Sequence, residues 1–105
     1  MNVKSYLSVA PLVHDAIAAG KPVVALESTI ITHGMPYPQN LAMARNVERE
    51  VRSQGAVPAT VAIMDGKFRV GVEGEDLERL AVEGHKAAKA SRRDVAALLG
   101  SGELA

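Results

Sequence analysis

The sequence predicts an α/β fold, a layered sheet with flanking helices, and three observations carry this. The patterns along the chain run helix, strand, helix, hairpin, helix, helix, an order that points to mixed layers. Aromatic residues are only 3% of the 105, so the core must be built from Ala, Val, Leu, Ile and Met, which favours close-packed α/β layers over an aromatic-rich sandwich. The run Val23-Val24-Ala25-Leu26 is continuously apolar, as suits a strand covered on both faces in a parallel or mixed sheet.

Each element has its own signal. Ser8 is placed to cap a short helix with Pro11 in its first turn and Leu12, Val13, Ala16 and Ile17 on one face. Gly20 stops it, and Lys21-Pro22 turns the chain into the Val23–Leu26 strand. Ile30 to Asn40 reads as a loop, because Gly34, Pro36, Pro38 and Asn40 oppose regular structure. From Leu41 a helix is expected, with Leu41, Ala44, Val47 and Val51 as its apolar stripe and an end near Gly55. Pro58 to Met64 is a second strand, Asp65-Gly66 a two-residue hairpin turn, and Lys67 to Val72 a third strand. Leu77, Leu80 and Ala81 mark a short amphipathic helix that closes near Gly84. A polar segment, His85 to Asp94, leads to a last helix beginning at Val95 and stopped by Gly100 and Gly102.

Composition narrows the function. A chain of 105 residues is at most one domain. Twelve basic and 12 acidic residues give zero formal net charge, so no global field attracts nucleic acid, and any anion recognition must be local. There is no Cys, which excludes disulfides and thiolate chemistry. Met1 to Ala10 lacks a basic segment followed by an apolar stretch, and no run is long enough to span a bilayer. The protein is read as cytoplasmic, with no membrane or nucleic-acid partner.

Three features could carry chemistry. Glu27 directly follows the apolar strand; burial there would raise its pKa and suit it to donate a proton, while the bland alternative is a strand-end carboxylate paired with a cation or capping a helix. His33 sits in the Gly- and Pro-shaped Thr32-His33-Gly34-Met35-Pro36 segment and is read as a structural hydrogen-bonding residue. His14, His33 and His85 are too far apart for a metal-ligand spacing. Lys86, Lys89, Arg92 and Arg93, with Ser91 and Asp94, form a cluster that suits a phosphate; the alternative is a solvated helix face. No phosphate-cradling glycine loop is present: Gly66 and Gly71 are explained by hairpin geometry.

The combined order of these segments is more specific than any one of them. The stretch Val23-Val24-Ala25-Leu26-Glu27-Ser28-Thr29-Ile30-Ile31-Thr32-His33-Gly34-Met35-Pro36-Tyr37-Pro38-Gln39-Asn40 resembles the N-terminal signature of pseudouridine-5'-phosphate glycosidases, the group that includes indigoidine-synthase-A-like proteins. Gln54-Gly55-Ala56-Val57-Pro58-Ala59-Thr60 is similar to the next block. Glu83-Gly84-His85 and Lys89-Ala90-Ser91-Arg92-Arg93-Asp94 resemble a third. The resemblance covers nearly all of the chain beyond its first twenty or so residues.

The resemblance implies reversible cleavage of the carbon–carbon glycosidic bond of pseudouridine 5'-phosphate, giving uracil and ribose 5-phosphate. Such a bond has no heteroatom leaving group, so the family uses a lysine that forms an imine with the opened sugar, a glutamate that transfers protons, and a divalent metal, usually manganese. By motif, Glu27 matches the proton-donor glutamate and Lys89 a substrate-binding lysine. His33 is motif-matched without a role. The family members are roughly three times this long. The chain is therefore expected to be the N-terminal portion, 1–105, of one larger α/β/α domain. The imine-forming lysine and the metal ligands are expected outside it, since Lys4, Lys21, Lys67 and Lys86 stand in other contexts. A homo-oligomer, a trimer, is also implied. The alternatives to a glycosidase piece inactive alone are a non-catalytic sugar-phosphate-binding module and a degenerate fragment.

Overall fold

The computed structural model describes residues 3–105. A short 3-10 turn, Val3–Tyr6, leads into β1 (Leu7–Val9) and α1 (Pro11–Ala18). Next come β2 (Val23–Leu26), a π-helical turn at Ile30–Gly34 and α2 (Gln39–Ser53). The hairpin strands β3 (Val57–Met64) and β4 (Lys67–Val70) precede α3 (Glu75–Glu83). Two more 3-10 turns, Gly84–Lys86 and Arg92–Asp94, flank an extended stretch before α4 (Val95–Ser101).

The four strands form one mixed sheet in the order β1-β4-β3-β2. β1 runs parallel to β4 and β2 parallel to β3, while β3 and β4 are antiparallel. Their hairpin turns at Asp65-Gly66, both with positive φ (52° and 74°), the left-handed pair a two-residue hairpin needs. Arg79 donates to both Asp65 carboxylate oxygens, at 2.8 and 3.0 Å, and this holds the Asp65 carboxyl below the usual carboxylate range.

Both faces of β3 are covered. Ala62 and Met64 point into the main core with Leu41 and Ala44 of α2 and Leu77, Leu80 and Ala81 of α3. On that same face Thr60 donates to Glu48 of α2 at 2.8 Å. α1 packs on β3 as well, burying Val13 and Ala16. At Gly71 the backbone of the β4 exit approaches α1 closely: with φ at 98°, an added Cβ would lie 2.7 Å from the Ala10 Cβ.

Several expectations are corrected. Ser8 lies in β1 and does not cap α1; Ala10 is its N-cap, with Pro11 at the first helical position. The three-residue β1 was not expected, being too short to show alternation. The last strand ends at Val70, because Gly71 and Val72 both donate to the Thr60 carbonyl instead of continuing the ladder. Asn40 belongs to α2 and is buried, so the loop expected at 30–40 is largely helical. On α2, Val47 is 40% exposed while Glu48 is 6% exposed, so the buried stripe is Leu41, Ala44 and Glu48. Gly100 continues α4, which Gly102 closes with φ at 75°.

β2 is not covered on both faces. It is an edge strand, with Val24 and Ala25 exposed. Leu12 and Ile17 of α1 are 61% and 62% exposed. Apolar side chains beside an open strand edge favour association. The 105-residue chain by itself is therefore expected to sediment as aggregates or oligomers and to enhance the fluorescence of an apolar-surface dye. A dye-silent monomer would contradict this.

Candidate active site

β2 stops at Leu26, opposite Thr60, while β3 continues to Met64. The chain leaves β2 at Glu27 and doubles back through Ser28 and Thr29 into the π turn. The Ile31 and Thr32 amides both donate to the Ser28 carbonyl, at 3.0 Å each. Thr32 adds a hydroxyl donation to the same carbonyl at 3.3 Å. Beyond the end of β2 a cavity of about 250 Å³ opens, with Val61, Ala62 and Ile63 of β3 along it. Glu27, Ser28 and Thr32 line one part; Ala88, Ala90, Ser91 and Arg92 line another. In open α/β sheets ligands bind beyond the carboxyl ends of strands, and Glu27 occupies such a place on β2. The cavity is a little smaller than the roughly 300–1,000 Å³ of complete small-molecule pockets.

The site joins two of the sequence-matched segments, 27–32 and 88–92, which are far apart along the chain. Glu27 is exposed, so the partial desolvation expected of it is not provided by this chain. Among the described residues its carboxylate has no hydrogen bond or ion pair. Glu27 also lines a second, more apolar cavity of about 160 Å³ with Leu26, Ile30, Val47 and Thr60.

The basic segment divides. Lys86, Lys89, Arg92 and Arg93 are all exposed. Arg92 lines the cavity, whereas Lys89 lies between two residues that do and is not itself on the lining. Ser91 is already engaged: its N–H and hydroxyl both donate to one Asp94 oxygen, at 2.9 and 2.6 Å. Those bonds hold the Asp94 carboxyl below its usual range and cap the turn at Arg92–Asp94. The hydroxyl expected to serve a phosphate is thus donated within the protein. His33 is exposed on the π turn and makes no hydrogen bond with the described residues, so the structural bonding role expected of it is not seen.

Among the described residues no three His, Cys, Asp or Glu side chains are gathered as a metal site would need. No helix among them is long and apolar enough to cross a membrane.

Sequence reasoning missed two polar residues beside the site. Asn40 was classed with turn formers, and its burial inside the first turn of α2 has no local signal. Glu48 does have one: it shares helical spacing with Leu41 and Ala44, so it falls on a stripe where a carboxylate requires a partner such as Thr60.

The family model described as Indigoidine synthase A like protein matches residues 12–105. This chain belongs to that family. It is 71% identical, over all 105 of its residues, to the pseudouridine-5'-phosphate glycosidase of Sorangium cellulosum, of which it covers 33%. With the Escherichia coli K12 glycosidase of the same name it shares 53% identity over 97 residues, 92% of this chain and 31% of that one. The chain thus spans about a third of the length of the curated relatives it matches. Among solved structures, the prealnumycin C-glycosynthase AlnA in complex with ribulose 5-phosphate superposes with a TM-score of 0.79 at 39% identity, over 93% of this chain and 31% of that one. An indigoidine synthase A-like protein from Thermotoga maritima gives 0.78 at 28% identity, over 95% of this chain and 32% of that one. The mixed sheet with flanking helices is therefore the family's fold, and this indigoidine synthase A-like chain holds part of it.

Proposed function

We propose that this chain forms the Glu27 side of a pseudouridine-5'-phosphate glycosidase site, in which the carbon–carbon bond between uracil and ribose 5-phosphate is reversibly cleaved. The observation that carries the reading is a strand-end carboxylate, exposed and without a partner among the described residues, that shares one cavity with the cationic 88–92 segment. In cleavage the uracil carbon must take up a proton as its bond to the sugar breaks; in synthesis it must lose one. The Glu27 carboxyl group is the donor in the first direction and its carboxylate the acceptor in the second. Lys89 and Arg92 supply positive charge for the sugar phosphate. The relatives' names and the ribulose 5-phosphate complex of the glycosynthase support a sugar-phosphate substrate.

The imine-forming lysine that the resemblance implies is assigned to the remaining two thirds of the family's length. Manganese is assigned there too, because no three His, Cys, Asp or Glu side chains are gathered among the described residues. A cytoplasmic trimer completes the reading.

The decisive assay joins this chain to the remaining family length and measures uracil release from pseudouridine 5'-phosphate. Release is expected from the joined polypeptide and not from the 105-residue chain. Binding of ribose 5-phosphate without any release would favour a binding module instead. In the active polypeptide, Lys89→Ala is expected to raise KM roughly 10- to 100-fold, the size of a lost charge-assisted bond, with little change in kcat. The loss should shrink for the unphosphorylated nucleoside. Should Arg92→Ala carry the whole effect and Lys89→Ala none, the phosphate role passes to Arg92, as its place on the cavity lining allows.

A further inference from the structure

Two elements beside the cavity, the π turn and α3, are joined by one buried side chain that does not itself line the cavity. Asn40, near the start of α2, is 2% exposed. Its Nδ2 donates to the Ile31 carbonyl at 2.9 Å and to the Ala81 carbonyl at 2.8 Å. Its Oδ1 accepts from the Leu41 amide at 2.8 Å. Both amide donors and the acceptor are therefore used, with no polar atom left over. Ile31 lies in the π turn that Glu27 leads into, and Ala81 lies near the end of α3. Gly84 completes the contact from the other side: a Cβ there would lie 2.6 Å from the Thr32 Cα. From Gly84 the chain runs directly to the 88–92 stretch that shares the cavity with Glu27.

We propose that Asn40 is a positioning residue, which sets the separation between the Glu27 turn and the 84–92 segment and so the width of the cleft between them. The apolar core beneath holds the same elements together, but burial is non-directional and does not by itself set their spacing. Two short hydrogen bonds from one rigid amide fix it. Of the other short side chains, Ser offers one donor and ionised Asp none, so neither can bridge both carbonyls. The consequence for catalysis rests on the glycosidase reading; the mechanical role does not.

The test uses the polypeptide of full family length, with Asn40→Ala and Asn40→Asp. Hydrogen exchange is expected to accelerate in residues 30–34 and 84–92 together. For uracil release, kcat is expected to fall about 100-fold, the scale of an ångström-sized misplacement, while KM moves only a few-fold. Acceleration in one segment alone, or a folded variant that keeps parental kcat, would overturn the proposal. A parent that releases no uracil would sink the glycosidase reading, and the paired exchange would still decide the role of Asn40. Where neither variant folds, Gly84→Ala decides: it leaves the Asn40 bonds chemically available but pushes the same segments apart. Joint exchange and the kcat loss are then expected, and unchanged values would overturn the proposal.

Discussion

In the polypeptide of full family length, Glu27→Gln is expected to lower kcat for uracil release by roughly 10²- to 10⁴-fold, the span of a lost general acid–base group. The amide keeps the shape of the carboxyl but neither gives up nor accepts the proton that the uracil carbon exchanges. KM should stay within a few-fold, because the residue is not assigned to ground-state binding. Within the described residues the change removes no contact, since Glu27 is exposed and without a partner there, and a shifted denaturant midpoint would report a partner supplied by the rest of the polypeptide. The measurements are steady-state uracil release and a denaturant melt of the same preparation. Unchanged kcat would remove Glu27 from the chemistry and leave it an ordinary exposed strand-end residue. Any desolvation that tunes the group towards proton donation must come from the rest of the polypeptide, because this chain leaves it open to solvent.

A large loss of stability is expected away from the cavity, at Gly71. Its φ of 98° is strained for any residue with a Cβ, and an added Cβ would meet the Ala10 Cβ at 2.7 Å and the Val13 Cγ2 at 3.0 Å. Gly71→Ala should cost about 1–2 kcal/mol for the backbone and about 1–3 kcal/mol more for overpacking. Gly55→Ala separates the two effects. Gly55 has a φ of 83° but nothing within 4 Å of an added Cβ, so only the backbone cost applies. Equal denaturant midpoints for the two variants would show that α1 shifts to make room and that its packing on the sheet is not rigid.

What could be read from the sequence follows from the range of the forces involved. The hairpin at Asp65-Gly66, the end of α2 near Gly55 and the amphipathic pattern of α3 are set within a few residues, and each is found in the structure. The family blocks brought Glu27 and Lys89 forward, and the structure brings their segments to one cavity without placing the Lys89 side chain on it. The apolar composition of β2 could not show that it is an edge of this sheet, because exposure depends on what lies beside it. Val47 is exposed, against expectation, and Glu48 is buried for a similar reason. Hydropathy favours Val47 as the buried residue, and only the Thr60 hydroxyl on the neighbouring strand makes burial of Glu48 tenable. Gly84 was expected merely to close α3, whereas its close approach to the π turn depends on a residue more than fifty positions away.

The early stop of β2 also makes its length a ruler. β2 pairs from Val23 opposite Val57 to Leu26 opposite Thr60, and Glu27 emerges where β3 runs on towards Met64, paired with β4 and exchanging backbone hydrogen bonds with Ala105 at Ile63. One residue inserted between Val23 and Leu26 would advance Glu27 by about 3.3 Å and turn its side chain to the other face of the sheet. Two inserted residues would restore the face but carry the carboxylate about 6.6 Å further over the opening. Extra chain ahead of Pro22 would leave this pairing unchanged. The residue count of the strand thus sets where Glu27 stands.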